Sequence, residues 1–209
     1  MNRLISIVGA SGVGKTAFVN ALNKTGLFIT AYEQHAGRPF QALFKQDNRY
    51  ALHNQVDYFL LRANQERELR SSSSRPKIGV MDGGLDLDFH GFTRLFHHRS
   101  LLSDSEYELC AHLYSFIRES LPFPELIVHL CADEQTVVER LSKRNRINIA
   151  SAGDTSLFNS YLREWLATLS PEQYLELDVS GETLGYEKSI HSLMERIRLD
   201  SNGGAQNDP

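Results

Sequence analysis

Thirteen residues, Leu4-Ile5-Ser6-Ile7-Val8-Gly9-Ala10-Ser11-Gly12-Val13-Gly14-Lys15-Thr16, decide how this chain is read. The first five form an apolar run of strand length, and Gly9 to Thr16, GASGVGKT, complete the Walker A pattern. Ala17-Phe18-Val19-Asn20-Ala21-Leu22 then continues as a helix. A strand, a glycine-rich turn and a helix N-terminus in that order make an anion cradle. Glycine lets backbone N–H groups turn inward around phosphate oxygens, and the positive helix end adds to their pull. The whole loop (Gly9, Ala10, Ser11, Gly12, Val13, Gly14, Lys15 and Thr16) is therefore expected to bind ATP or GTP. Lys15 is expected against the β- and γ-phosphates, and the Thr16 hydroxyl on Mg²⁺. The motif does not name the acceptor of the phosphoryl group.

Working outward, four further apolar segments follow: Leu27 to Thr30, Lys77 to Met81, Leu126 to Cys131 and Tyr174 to Asp178. Helical patterns lie between them, which predicts an α/β fold with a parallel sheet covered on both faces. Leu52, Val56, Phe59, Leu60 and Ala63 recur at helical spacing in a long helix from Asn48 through Arg70. Ser103 and Glu106 form a capping box opening a helix through Tyr107, Leu109, Cys110, Leu113, Phe116 and Ile117, which Pro122 and Pro124 end. Asp133 begins another helix, and Leu157 through Leu169 form the next. Between these two lies a basic, glycine-containing segment near residues 143–154 with the character of a lid over phosphates. Residues 1–200 read as one domain, and 201–209, lacking an apolar face, as a flexible tail.

At 209 residues, net charge −4 and pI near 6.1, the chain offers no support for broad nucleic-acid binding, and a small-molecule acceptor suits it better. Met1-Asn2-Arg3 runs directly into the first strand and no apolar run approaches membrane-span length. The expectation is a cytoplasmic protein without a signal peptide or membrane partner. Cys110 and Cys131, in apolar surroundings, read as reduced structural cysteines. His90, His97 and His98 lack the companion ligands of a zinc site.

Candidate chemistry outside the loop clusters after the strands. Glu33, just past the second strand, falls on the sheet edge where ligands bind in parallel α/β folds; it is either the base that takes a proton from an acceptor hydroxyl or a solvated capping residue. Asp82, ending the third strand, is the candidate Mg²⁺ carboxylate, with capping of the Gly83-Gly84 turn as the alternative. Asp86 and Asp88 read as further surface acids. Arg144 and Arg146, with Lys143, are placed to neutralise the transferring phosphoryl group, or else form a solvated helix end. Gln55 has the donor and acceptor needed to read a nucleobase edge. Arg94 offers a polar contact to the acceptor, and Phe28, Tyr50, Phe59 and Phe92 are pocket walls or core.

In this order the residues resemble the deoxynucleoside kinase family. The likeness is carried by GASGVGKT, Glu33, Asn48-Arg49-Tyr50-Ala51-Leu52-His53-Asn54-Gln55, Asp82 after the third strand, the helix around Glu106 to Arg118, and Lys143-Arg144-Asn145-Arg146. The resemblance implies a P-loop three-layer sandwich with five parallel strands ordered 2-3-1-4-5. It also implies ATP-dependent phosphorylation of a deoxynucleoside 5′-hydroxyl and a homodimer. Glu33 then corresponds to the general base, Gln55 to the base reader, and Arg144 with Arg146 to the lid. Three positions depart from the pattern. Asp82-Gly83-Gly84 stands where the family has an acid followed by arginine and serine, with Arg94 or Arg99 as possible replacements for that arginine. Phe44 stands where a tyrosine contacts the sugar 3′-hydroxyl, with Tyr50 as its alternative in the substrate pocket. The segment after Arg146 lacks an obvious carboxylate. These departures leave open a kinase for another small metabolite or a non-enzymatic ATP-binding regulator.

Overall fold

The computed structural model describes residues 2–33, 38–72, 78–142 and 152–203. Five parallel strands, β1 (Leu4–Val8), β2 (Phe28–Ala31), β3 (Ile78–Asp82), β4 (Leu126–Cys131) and β5 (Tyr174–Asp178), form one sheet in the order β2-β3-β1-β4-β5. The helices are α1 (Lys15–Lys24), α2 (Pro39–Phe44), α3 (Ala51–Ser71, preceded by a 3₁₀ turn at Asn48–Tyr50), α4 (Leu85–Leu87), α5 (Arg94–His98), α6 (Asp104–Ser120), α7 (Glu134–Ser142), α8 (Ala152–Leu166) and α9 (Glu187–Gly203). A π-helical stretch, Asp88–Thr93, joins α4 to α5 without a break. Among the described residues no helix is long and apolar enough to cross a membrane.

Every residue of β1 is buried because alternate side chains enter different cores. Ile5 and Ile7 pack with Phe18, Val19 and Leu22 of α1 and with Leu193 and Ile197 of α9. On the opposite face Leu4 meets Met81 and Leu69, while Val8 and Ile127 meet Phe158, Leu162 and Trp165 of α8. The register Ile7↔Asp82 brings the ends of β1 and β3 side by side, which sets the phosphate loop next to Asp82. The helix α6 opens with the expected Ser103–Glu106 capping box. Cys110 and Cys131 are both free thiols.

Several sequence expectations change. Leu60, Leu109 and Phe116, members of the helical apolar patterns, face outward at 52%, 52% and 67% exposure. Asp86 and Asp88, read as surface acids, are buried. Arg118 of α6 reaches Glu66 on α3 (2.7 Å) and Asp86 (2.7 Å), and the Tyr114 hydroxyl donates to Asp86 at 2.7 Å. This network ties α3, α4 and α6 together. Helix α9 continues through Gly203, beyond the expected start of the tail, and the remaining residues of that tail lie outside the described part.

Candidate active site

The phosphate loop has the backbone its glycines permit. Gly9, Gly12 and Gly14 have φ of 145°, 87° and 109°, and Gly14 caps α1 without any side chain, which leaves the first-turn N–H groups facing the loop. Lys15 Nζ donates to the carbonyl oxygens of Gly9 (2.8 Å) and Ala10 (3.0 Å), so the ammonium lies over the loop. The back of the loop is braced by α7: Arg140 Nη1 donates to the Val13 carbonyl at 2.5 Å, and Leu141 with Val137 covers Gly12. Arg140 was not singled out from sequence; its place four residues before Arg144 is the only local signal. Lys143, Arg144 and Arg146 lie outside the described residues, as does most of the expected lid.

The Thr16 hydroxyl donates to Asp82 Oδ2 at 2.5 Å. Asp82 is 1% exposed, and its Oδ1 is buried with no hydrogen-bond partner. A carboxylate oxygen in that state lacks the compensation that burial demands. A cation beside Thr16 and Asp82 would supply it. One hydroxyl and one carboxylate, completed by phosphate oxygens and water, match the way Mg²⁺ is held by nucleotide-dependent phosphotransferases.

Beyond Asp82 the chain turns sharply through Gly83 (φ 86°) and Gly84 (φ 146°). The turn is tight for a specific reason: a Cβ on Gly83 would lie 2.9 Å from Arg62 Nη2. Arg62, from the middle of α3, is fully buried and pairs with Asp88 (Nε to Oδ2, 2.9 Å). Its Nη1 donates to the Asp82 carbonyl (3.0 Å) and to Gln65 Oε1 (3.2 Å). Burial pushes the Asp88 carboxyl up to about 6, against the pull of Arg62 and with a further push from Glu33. The same carboxylates hold the Arg62 guanidinium firmly protonated.

Glu33, two residues past β2, lines a pocket with Asn54, Gln55, Tyr58, Asp88, Phe92 and Phe96. The cavity is about 30 Å³, too small for a nucleoside unless the lining side chains move outward. Gln55 is buried there; its Nε2 donates to Thr93 Oγ1 at 2.7 Å, and Thr93 Oγ1 donates to the Asp88 carbonyl at 2.9 Å. The donor end of Gln55 is thus committed within the protein. The Tyr58 hydroxyl accepts from Gln41 Nε2 at 2.7 Å, and Arg38 lies 5.2 Å over its ring.

Other expected contacts point elsewhere. Phe44 is buried against Phe96, with ring centroids 5.1 Å apart, and belongs to the core under α6. Tyr50 packs on His53 at the edge of that core. Arg94 turns to α8, pairing with Glu164 (2.6 Å) over the Tyr161 ring, and Arg99 is exposed at the end of α5. Neither takes the place of the arginine absent after Asp82. Phe92 lines the pocket, whereas Phe28 and Phe59 are core. Asp88, Asn54, Tyr58 and Phe96 are the pocket residues the sequence reading did not assign there, and Arg62 is the buried partner of Asp88.

The model of the deoxynucleoside kinase family matches residues 5–199. A deoxyadenosine/deoxycytidine kinase of Bacillus subtilis (strain 168) is 23% identical over 202 residues, covering 94% of this chain and 92% of that protein. A deoxyadenosine kinase of Dictyostelium discoideum is 26% identical over 170 residues, 79% of this chain and 67% of that one. Deoxyadenosine kinase from M. mycoides, solved with bound dCTP, superposes with a TM-score of 0.75 at 16% identity over 93% of this chain and 98% of its own. The match takes in the phosphate loop, Glu33, Asp82 and the pocket helix α3 alike, and the chain belongs to the deoxynucleoside kinase family, enzymes that phosphorylate a deoxynucleoside to its monophosphate with ATP as donor.

Proposed function

We propose that the acceptor is a 2′-deoxynucleoside whose base carries an amino group where guanine has O6 and thymine O4, that is, deoxyadenosine or deoxycytidine. The observation that supports this most is the buried Arg62–Asp88 pair. The pair engages only Oδ2 of Asp88, leaving Oδ1 as an acceptor for an amino N–H, with the guanidinium beside it as a donor to a ring nitrogen or carbonyl. A carboxylate acceptor repels the O4 of thymine and the O6 of guanine, so the pair discriminates as well as binds. The names of the Bacillus and Dictyostelium relatives agree with this choice.

In the reaction, Glu33 takes the proton of the 5′-hydroxyl as that oxygen attacks the γ-phosphorus, and the loop N–H groups with Lys15 hold the donor phosphates. Thr16 and Asp82 would hold Mg²⁺, which when bound would supply positive charge to the phosphate oxygens. Arg144 and Arg146, which lie outside the described residues, are assigned to neutralising charge on the transferring group. A second copy docks on the outer faces of α3 and α6, where Leu60, Leu109 and Phe116 are exposed; Phe116→Glu then gives a monomer in sedimentation.

The test is turnover with ATP, Mg²⁺ and each of the four deoxynucleosides. We expect deoxyadenosine or deoxycytidine to exceed thymidine and deoxyguanosine in kcat/KM by tenfold or more. A preference for thymidine or deoxyguanosine refutes the assignment of Arg62 and Asp88.

A further inference from the structure

We infer that Asn54 is a specificity-determining residue whose carboxamide oxygen accepts a hydrogen bond from the bound nucleoside. The inference rests on the pocket being the acceptor site. Asn54 precedes Gln55 on α3, is 2% exposed, and lines the same pocket as Glu33, Gln55 and Asp88. Its Oδ1 is buried and accepts no hydrogen bond.

That arrangement is costly in the free protein. A buried amide oxygen without a donor forfeits its hydration and receives nothing in return, whereas an apolar side chain of the same shape carries no such penalty. The surrounding wall would favour one, since Phe92 and Phe96 line the same pocket and Phe44 packs behind Phe96. An unsatisfied polar group in such a wall is explained when a ligand brings the missing donor. The other polar groups of the pocket already have identifiable partners. Gln55 Nε2 is held by Thr93, Asp88 Oδ2 by Arg62, and the Tyr58 hydroxyl by Gln41. Among the residues lining the pocket, Asn54 is the one with a fully buried acceptor that has no partner, and with Asp88 Oδ1 it is left for the substrate to complete. Two groups of a deoxynucleoside have the required chemistry, the 3′-hydroxyl of the sugar and the amino group of the base.

The test couples a protein change to a substrate change. Wild type and Asn54→Leu are assayed with deoxyadenosine, 2′,3′-dideoxyadenosine and the 2′-deoxyriboside of unsubstituted purine, which lacks the amino group. In the wild type, removal of the group that Asn54 contacts lowers kcat/KM roughly fivefold to a hundredfold. In Asn54→Leu deoxyadenosine falls by a similar factor, and the penalty for that one analogue disappears while the penalty for the other persists. The analogue that loses its penalty identifies the donor as sugar or base.

Thermal unfolding separates this role from a structural one. Asn54→Leu keeps or raises the Tm of the free protein, because an unsatisfied oxygen has been removed, and loses most of the nucleoside-induced Tm shift. Asn54→Ala, which cannot overpack the site, gives the same pattern of analogue penalties. Retention of both penalties in both variants, or full activity toward deoxyadenosine, overturns the inference. A wild-type protein that phosphorylates neither these nucleosides nor deoxycytidine sinks the assignment of the pocket itself, a result distinct from unchanged penalties in an active enzyme.

Discussion

Replacing Arg62 by methionine leaves Asp88 buried without its partner, and the size of the effect follows from how easily that carboxylate can take a proton. Breaking a buried ion pair ordinarily costs about 3–5 kcal/mol, because an uncompensated charge remains. Asp88 has a way out. Its carboxyl already titrates near 6 in the folded protein, against an ordinary 3.8, so binding a proton at neutral pH requires little. In the Arg62→Met protein the neutral acid, which never depended on the guanidinium charge, becomes the ground state. The cost of reaching it is negligible below pH 6 and grows about tenfold in the folding constant for each pH unit above, reaching about 3 kcal/mol at pH 8. To this is added a contribution independent of pH. The Asp82 carbonyl and Gln65 Oε1 both lose the donor they share on Arg62 Nη1, for about 1–2 kcal/mol together.

The sign is fixed by linkage. A carboxyl whose folded pKa lies above its unfolded value stabilises the fold while protonated, and that stabilisation is lost as pH rises through the folded pKa. In the wild type the loss ends near pH 6; in Arg62→Met it continues upward, and the two curves diverge. Urea unfolding followed through the single tryptophan, Trp165, buried in the α8 core, measures both proteins at pH 6 and pH 8. A destabilisation of about 1–2 kcal/mol at pH 6 and about 4–5 kcal/mol at pH 8 is expected. Arg62→Met with Asp88→Leu removes the titrating group, so its stability relative to wild type is the same at both pH values. A single variant equally destabilised at pH 6 and pH 8, or a double variant as pH-sensitive as the single, refutes this account of the pair.

Three further outcomes are expected. Glu33→Gln lowers kcat by a hundredfold or more while leaving KM for ATP within about twofold, since the carboxamide keeps the shape and loses the basicity; steady-state kinetics with ATP varied checks this, and unchanged kcat rejects Glu33 as the base. Gly84→Ala puts a Cβ 2.6 Å from Ser6 Oγ at φ 146°, and urea unfolding should show a loss of at least about 2 kcal/mol. The pH profile of kcat/KM for an amino-bearing nucleoside should fall below about pH 6, as Asp88 takes up a proton and ceases to accept from the base. Because protonation of Asp88 itself favours the fold, circular dichroism across that limb should show folded protein.

The distance between what was legible in the sequence and what was not is largest on α3. The central strands declared themselves because they bury on both faces and so read as largely apolar runs; Leu4–Val8 is buried throughout and Leu126–Cys131 nearly so. The phosphate loop declared itself because its chemistry is local, with every ligand within eight residues of Gly9. Helix α3 has neither property. Its buried side carries Asn54, Gln55, Arg62, Gln65 and Glu66 along with Tyr58 and Phe59, and its Leu60 faces outward. A reading that assigns polar residues to solvent inverts that face, and it placed Asp86 and Asp88 on the surface for the same reason. Only long-range partners reveal them: Arg62 and Asp88 are 26 residues apart, and Glu66 meets Arg118 across 52.

The departure after β3 becomes intelligible in the same terms. The glycine at position 83, where the family pattern has an arginine, first reads as a lost positive charge. Arg62 occupies the space that a side chain at Gly83 would need, donates to the Asp82 carbonyl beneath it, and meets the field of Glu33 and Asp88 from the opposite wall. A side chain at position 83 would press on the Arg62 guanidinium where it now lies and require it to shift. On the proposed assignment of Asp88 to base recognition, the turn is coupled to it, since Arg62, which donates to the Asp82 carbonyl, is also the partner of Asp88. Gly83→Ala should for that reason displace Arg62 before it disturbs the strand, and alter the choice of nucleobase more than the affinity for ATP. A variant with weakened ATP binding and unchanged base preference would show the two positions to be independent.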